Sequence, residues 1–403
     1  MNLFNYISKT FLVLSFSMLC SFFTTLHLGE ILSTEDFGFF NLLKRIIPMG
    51  AVIILIGFDK SYIKYFSNRA QLKIFKFVFP MILINAFLVT IIFNNIYDFD
   101  EIAISIYFCL TAFSFIIFLS SHARFKNQYG TAQFIQAGYK IIFFIIIIYF
   151  IQHNTINSIH ITNVYQLSFI IPLLYILKFL FDENRIKKPA SFQNFKKMLS
   201  YGLLFFLVNI FNLMIVNMEG LFIPYYYGHE ANGIYSGLSF IYITVFVMIG
   251  TSVGYVIFPT LSKKESFNIK RLFIFTLIVI FLFSFFFTIF GDSINKLAFK
   301  GKFDSYRTLE LDIMFISIGA LQFINNLLHW FILGLANKKN ITNYLYIIIF
   351  VLVVYIVLVF SIAYLGPKNF VIIIPIVLFS WFIKILMTLL FIKRIDLVKS
   401  LNP

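Results

Sequence analysis

Lys44 and Arg45 interrupt an apolar run that opens at Asp36. Lys140 interrupts another between 131 and 151, and Lys384 a third between 370 and 392. An ionisable group at the bilayer centre costs roughly 2.5–3.5 kcal/mol on insertion scales, so it is usually retained for a function. Counted from Asp36, Lys44 and Arg45 lie roughly 12–14 Å into their helix, near the midplane. Lys140 lies at a comparable depth from the opposite end, and Lys384 about 10 Å from that end. No acid is expected at similar depth, because Glu219 and Asp312 read as the outer ends of their helices. Several cations without a partner acid call for a hydrated cavity or an anionic ligand. Phosphate suits both Lys and Arg. Lys178 reads instead as a long stem that lifts its charge to the interface. Pro48 cannot donate to the Lys44 carbonyl, so a kink is expected beside the two cations, and Pro259 and Pro375 are similar kink points.

Other groups point less sharply to chemistry. Asp98-Phe99-Asp100-Glu101 is an acidic loop of the kind that could hold a metal or act as a base. It reads better as a short outer loop that obeys charge asymmetry. His153 and His160 have no Cys or acid neighbours, so no metal site is expected. There is no Gly-rich phosphate loop, which excludes ATP hydrolysis in this chain. Tyr225-Tyr226-Tyr227 reads as part of an aromatic belt. Cys20 and Cys109 are far apart inside apolar segments and read as two buried thiols.

The elements that position these residues are membrane spans. Of 403 residues, 60% are hydrophobic and 12% charged, and the mean hydropathy is +0.91. Surface-to-volume scaling forces a polar exterior on a soluble domain, so such a composition excludes a soluble enzyme. No polar stretch is long enough for a nucleotide-binding or large extracytoplasmic domain. Twelve spans are predicted, at about 10–29, 37–58, 74–96, 101–121, 131–151, 161–181, 199–219, 233–258, 272–291, 312–335, 342–364 and 370–392. The runs are continuously apolar rather than alternating, which excludes a β-barrel. The first run has no cleavage pattern after it and is read as a retained helix. The fold class is therefore an all-α polytopic membrane protein.

Loop charge sets the orientation. Alternate loops hold Lys60, Lys64, Arg69, Lys73, Lys76, Arg124, Lys126, Arg185, Lys187, Lys188, Lys196, Lys197, Lys263, Lys264, Lys338, Lys339, Lys393 and Arg394. The remaining loops hold few cations and most of the acids, among them Glu30, Glu35, Asp98, Asp100, Glu101, Asp292 and Asp304. The positive-inside rule then puts both termini in the cytoplasm. Topology rather than nucleic acid accounts for the +15 net charge. The longest cytoplasmic link, 182–198, divides the chain into two six-helix halves, 1–190 and 191–403. Glu35-Asp36-Phe37-Gly38-Phe39-Phe40-Asn41 and Glu230-Ala231-Asn232-Gly233-Ile234-Tyr235-Ser236 open the second helix of each half with one pattern. Their matched places suggest an internal repeat about an axis along the membrane normal.

Leu28-Gly29-Glu30-Ile31-Leu32 followed by Glu35-Asp36-Phe37-Gly38-Phe39-Phe40 resembles the opening of polysaccharide-export flippases of the Wzx type. The stretch 195–259, with Leu199-Ser200-Tyr201-Gly202-Leu203, Glu219, Gly233-Ile234-Tyr235-Ser236 and Phe258-Pro259, resembles their seventh and eighth helices. Gly334-Leu335-Ala336-Asn337-Lys338-Lys339 resembles their turn after the tenth. The resemblance implies two six-helix bundles around a central cavity. The implied substrate is an undecaprenyl-pyrophosphate-linked oligosaccharide, moved from the cytoplasmic to the periplasmic leaflet of the bacterial inner membrane. It also implies that Lys44, Arg45, Lys140 and Lys384 meet the substrate. No enzyme activity and no cofactor are expected. Membrane lipid, a polysaccharide polymerase and a chain-length regulator are the expected partners, with no nucleic acid. Glu219 stands where the family often has Asp, and its neighbouring basic residue is missing. The competing reading is a polymerase or polyprenyl-linked glycosyltransferase, for which the 292–312 region is the nearest thing to a catalytic outer loop. A small-molecule exporter is the third, and it would need an acid inside the first bundle.

Overall fold

The computed structural model describes residues 3–66, 73–126, 128–151, 158–186, 190–262, 269–335, 338–364 and 370–394. Lys187-Lys188-Pro189, Ala336-Asn337, His153 and several charged loop positions read above lie outside them. Helices form nearly all of the described chain, in the order α1 (Leu3–Ile31), α2 (Thr34–Leu55), α3 (Phe58–Phe66), α4 (Phe75–Tyr97), α5 (Ala103–Phe125), α6 (Tyr129–Ile151), α7 (Ser158–Ser168), α8 (Ile170–Leu173) and α9 (Tyr175–Asn184). They continue with α10 (Phe192–Ser262), α11 (Ile269–Phe299), α12 (Leu309–Leu335), α13 (Lys338–Tyr364) and α14 (Ile373–Arg394).

Among the described residues, eleven helical stretches are long and apolar enough to cross a bilayer. One of them, Gly202–Thr251, has 50 residues, roughly 75 Å of helix against a hydrocarbon core of about 30 Å. Within it α10 breaks at Gly228, where φ is 84° and ψ is 173°. Glycine alone takes that backbone conformation without penalty. The stretch therefore holds two crossings, and each of the twelve predicted spans has a helix. The sixth is assembled from α7, α8 and α9 and carries Pro172. Apolar rings stand on the outside, as on α11, where Phe281 is 70% exposed. Lipid is the solvent that makes such a surface stable.

The described contacts group into two units. The first is Met1–Leu28 with Phe39–Leu213, and the second is Gly29–Gly38 with Met214–Pro403. These packing units are a different division from the topological halves that meet near residue 190.

In the first unit α5 is the central helix, with buried side chains on all sides and α3, α4, α6 and α7 packed around it. The chain reverses after α2 through Ile56 (φ 47°) and Gly57 (φ 70°). This turns α3 back so that Phe58 meets Phe118 and Phe195. Phe77 also stacks on Phe195, so the start of α10 belongs to this unit. Tyr62, His122 and Asp182 form a chain. The Tyr62 hydroxyl lies 2.8 Å from His122 Nδ1, and His122 Nε2 lies 3.4 Å from Asp182 Oδ2. Asp182 accepts only, so Nε2 carries the proton and Tyr62 donates to Nδ1. Burial, reinforced by the charges of Glu183 and Asp182, raises the Tyr62 phenol well above its ordinary pKa and keeps that proton in place.

Next to it, Glu183 Oε1 accepts from the backbone N–H of Ile74 and Phe75, closing the start of α4. Glu183→Ala leaves two buried donors orphaned. The expected cost is about 1–3 kcal/mol, read as a lower unfolding midpoint in detergent. An unchanged midpoint would show that water replaces the cap.

The second unit receives the α1–α2 turn. Ser33 Oγ accepts from the Asp36 N–H at 3.0 Å and lies 2.6 Å from the Asp36 carboxylate, which starts α2. Phe37 sits against Phe299 and Phe303, both 6.1 Å away by ring centroid. Lys302 donates to the Gly29 and Leu32 carbonyls at the end of α1, where a cation also suits the helix dipole. Burial pushes the Lys302 ammonium below its ordinary pKa, and the Asp36 charge opposes that shift. Elsewhere in this unit α14 packs against both α12 and α13.

Pro48 lies inside α2, which is continuous from Thr34 to Leu55. Pro375 stands in the first turn of α14, where no intrahelical N–H is needed.

Candidate functional site

The three cations predicted on the second and fifth spans share one neighbourhood of the first unit. Lys44 and Arg45 come from α2 and Lys140 from α6, and both Arg45 and Lys140 act electrostatically on Lys44. Lys44 Nζ donates to Thr25 Oγ1 at 2.7 Å, and the Thr25 hydroxyl donates on to the Ser21 carbonyl at 2.8 Å. The same ammonium stands 5.2 Å from the centre of the Phe40 ring, one turn back along α2. Both of these contacts, the hydroxyl and the ring, are neutral groups that hold the ammonium in place. Arg45 is within electrostatic range of Tyr97 on α4. Among the described residues Lys140 has no ion-pair partner. Like charges in a low-dielectric span repel, and an anion between them relieves the repulsion. Thr25 was not among the predicted site residues. A threonine in an apolar helix carries no signal until the facing helix is known.

Lys384 belongs to the second unit. It is fully buried on α14, with its ammonium 4.7 Å from the centre of the Trp381 ring. Ser380, Lys384 and Thr388, at helical spacing, are all buried. The buried face therefore carries a polar stripe, and Lys384 is no snorkelling residue. Lys178 is, as expected, at an exposed site, 3.1 Å from Gln128 Oε1.

The expectation that no acid lies deep in a span is corrected at Glu219. Its helix continues to the break at Gly228, and the residue is 3% exposed. It is therefore roughly 13 Å inside the helix end. Its Oε2 accepts from the Tyr355 hydroxyl at 3.3 Å. Asp312, by contrast, stands in the first turn of α12 as expected.

The two loops with chemical potential are tied up internally. Asp98 ends α4 in the left-handed region, with its N–H on the Asn94 carbonyl, and Asp100 accepts from the Asn94 side chain at 2.7 Å. In the 292–312 region, the Arg307 guanidinium bonds to Asp312 through Nε at 2.9 and 3.0 Å, and also through Nη2. It reaches Asp292 through Nη1 at 2.8 Å and the Tyr242 hydroxyl through Nη2 at 2.7 Å. Burial disfavours its charge, yet Asp312, Tyr242 and Asp292 together hold its pKa above the ordinary value. Tyr225 and Tyr226 are exposed just before Gly228, with Tyr226 stacked on Phe222 at 4.2 Å, as an aromatic belt requires. Cys20 and Cys109 are free, buried thiols.

Helices with apolar outer faces, crossing after crossing, define an all-α multi-pass membrane protein. Residues 28–290 match the family described as polysaccharide biosynthesis protein. This is well over half of the chain, and the chain belongs to that family. The membership agrees with the resemblance to Wzx-type flippases and assigns a role in polysaccharide biosynthesis or export. The match takes in Lys44, Arg45 and Lys140 and stops short of Lys384. No curated protein matches the chain.

Proposed function

We propose that the protein is a flippase. It carries an undecaprenyl-pyrophosphate-linked oligosaccharide, a repeat unit of O-antigen or a similar surface polysaccharide, from the cytoplasmic to the periplasmic leaflet of the bacterial inner membrane. The observation that carries this reading is the gathering of Lys44, Arg45 and Lys140 inside the spans of a polysaccharide-biosynthesis protein. A sugar–pyrophosphate head group cannot cross hydrocarbon unaided, because its polar and charged groups would lose their hydration. The three cations replace that hydration at the pyrophosphate, and Lys384 meets further anionic groups of the substrate. The polyprenyl tail stays in lipid. Alternating access between the halves 1–190 and 191–403 moves the head group without a continuous pore. The chain makes and breaks no covalent bond, and the flipped unit passes to a separate polymerase with its chain-length regulator.

The test is deletion in the native host with leaflet-resolved detection of the undecaprenyl-linked oligosaccharide. Single repeat units are expected to accumulate on the cytoplasmic leaflet. Accumulation on the periplasmic leaflet would show that the units cross without this protein, and a polymerase or transferase would replace the flippase.

A further inference from the structure

Two places in the molecule bring glycine backbone directly onto glycine backbone, each reciprocally, and both involve the chain of α2. A Cβ built on Gly38 would lie 1.8 Å from the His229 carbonyl oxygen and 2.7 Å from the Gly233 nitrogen. A Cβ built on Gly233 would lie 1.9 Å from the Thr34 carbonyl oxygen. Each repeat glycine thus rests on the carbonyl four residues before its counterpart, which is what a two-fold related pair of helices does. The Asn232 side chain adds a hydrogen bond of 2.7 Å to the Gly38 carbonyl. At the other end of the helix, a Cβ on Gly57 would lie 2.3 Å from the Gly202 carbonyl oxygen, and one on Gly202 would lie 2.5 Å from that of Gly57. The first pair lies within the second unit and the second pair within the first unit. From Gly38 to the end of α2 at Leu55 is roughly 25 Å, and Gly57 follows two residues later, so the helix between the two contacts nearly matches the thickness of the hydrocarbon core. Lys44 and Arg45 lie between them.

Most other close glycines receive an aromatic ring instead: Gly29 takes Phe299, Gly237 takes Phe303 and Gly254 takes Trp330. Those contacts interlock. Backbone-on-backbone contacts do not, and in lipid no hydrophobic term holds them shut, only van der Waals packing and a hydrogen bond. Beside them Phe37 meets Phe299 and Phe303, and Phe58 meets Phe195, so opening a latch also parts the aromatic contact at that end.

We propose that the Gly38–Gly233 and Gly57–Gly202 contacts are paired latches at the two ends of α2, released in turn as the cations between them are exposed to one side of the membrane and then the other. This rests on the flippase reading. A methyl group at one latch holds that end open. Gly38→Ala or Gly233→Ala is expected to favour access from the periplasmic side, and Gly202→Ala access from the cytoplasmic side.

The reporter is Lys140→Cys in a chain with Cys20 and Cys109 replaced by Ala. It is labelled with a membrane-impermeant maleimide from each side in right-side-out and inverted vesicles. Each latch variant is expected to shift the ratio of labelling from the two sides by about tenfold or more, in opposite directions. Gly130→Ala, with nothing within 4 Å of its Cβ, is expected to shift nothing. Labelling that occurs but keeps the same sidedness in all variants overturns the latches and leaves the cavity standing. A reporter labelled from neither side in any variant, latch-opened ones included, overturns the cavity and the latches with it. If a latch variant fails to fold, hydrogen exchange on the unaltered protein in nanodiscs decides, with and without undecaprenyl pyrophosphate. Segments 34–38 and 229–233 are expected to change protection in the opposite sense to 57–61 and 198–202. A parallel change, or none, overturns the proposal.

Discussion

Arg307→Leu is expected to be among the most destabilising single changes in the protein. The guanidinium is 7% exposed and its partner Asp312 13%. Removing one member of a buried ion pair leaves the other charge uncompensated, at a cost of about 3–5 kcal/mol. Asp292 is 58% exposed and contributes little of this, because water screens it. Tyr242 also loses its charged partner. The measurement is thermal unfolding in detergent, together with the amount of protein that reaches the membrane. The double variant Arg307→Leu/Asp312→Leu is expected to recover much of the loss, since the orphaned carboxylate is gone. Recovery of export along with stability would mark this loop as a structural tie. Stability recovered without export would turn it into a functional site and favour the transferase reading.

Lys44→Gln combined with Arg45→Gln is expected to abolish most export while the protein still reaches the membrane in normal or higher amount. Hydrogen bonds to charged groups contribute about 1.5–3 kcal/mol each, so losing two weakens pyrophosphate binding by about a hundredfold or more. Folding itself gains, because two charges no longer have to enter the bilayer. Thr25 loses only a hydrogen bond to Lys44 and keeps the one to the Ser21 carbonyl. Lys178→Gln is the control at an exposed cation, and export is expected to be unchanged. Export that survives the double change intact, at equal protein level, would show that these cations do not meet the substrate.

Much of this molecule is legible along the chain. The number and place of the spans follow from counting apolar residues against a hydrocarbon thickness, a one-dimensional test that needs no partner. The reversal at Gly57, the start of α2 at Ser33 and the break at Gly228 are local backbone features that the count of apolar residues does not place, and the predicted second span runs past Gly57 to 58. Lys44, Arg45, Lys140 and Lys384 do stand out in that count: a charge in an apolar run is conspicuous whatever it faces.

What each of these residues faces is another matter. In water, an amphipathic stripe tells which side of a helix seeks the core. In lipid, a leucine or phenylalanine is nearly as well placed against a tail as against a neighbouring helix, so hydropathy does not name the neighbour. The meeting of Lys44 with Lys140 and Thr25, the enclosure of Asp312 by Arg307, and the seating of Gly38 on Gly233 all depend on which helices meet. Glu219 shows the same limit at a helix end. Read alone, the apolar run stops beside it, yet the helix continues through three tyrosines to Gly228 and leaves the carboxylate buried. Helix packing in a membrane is chosen by small residues and hydrogen bonds at a few points of contact, and those points exist only once the chain is folded.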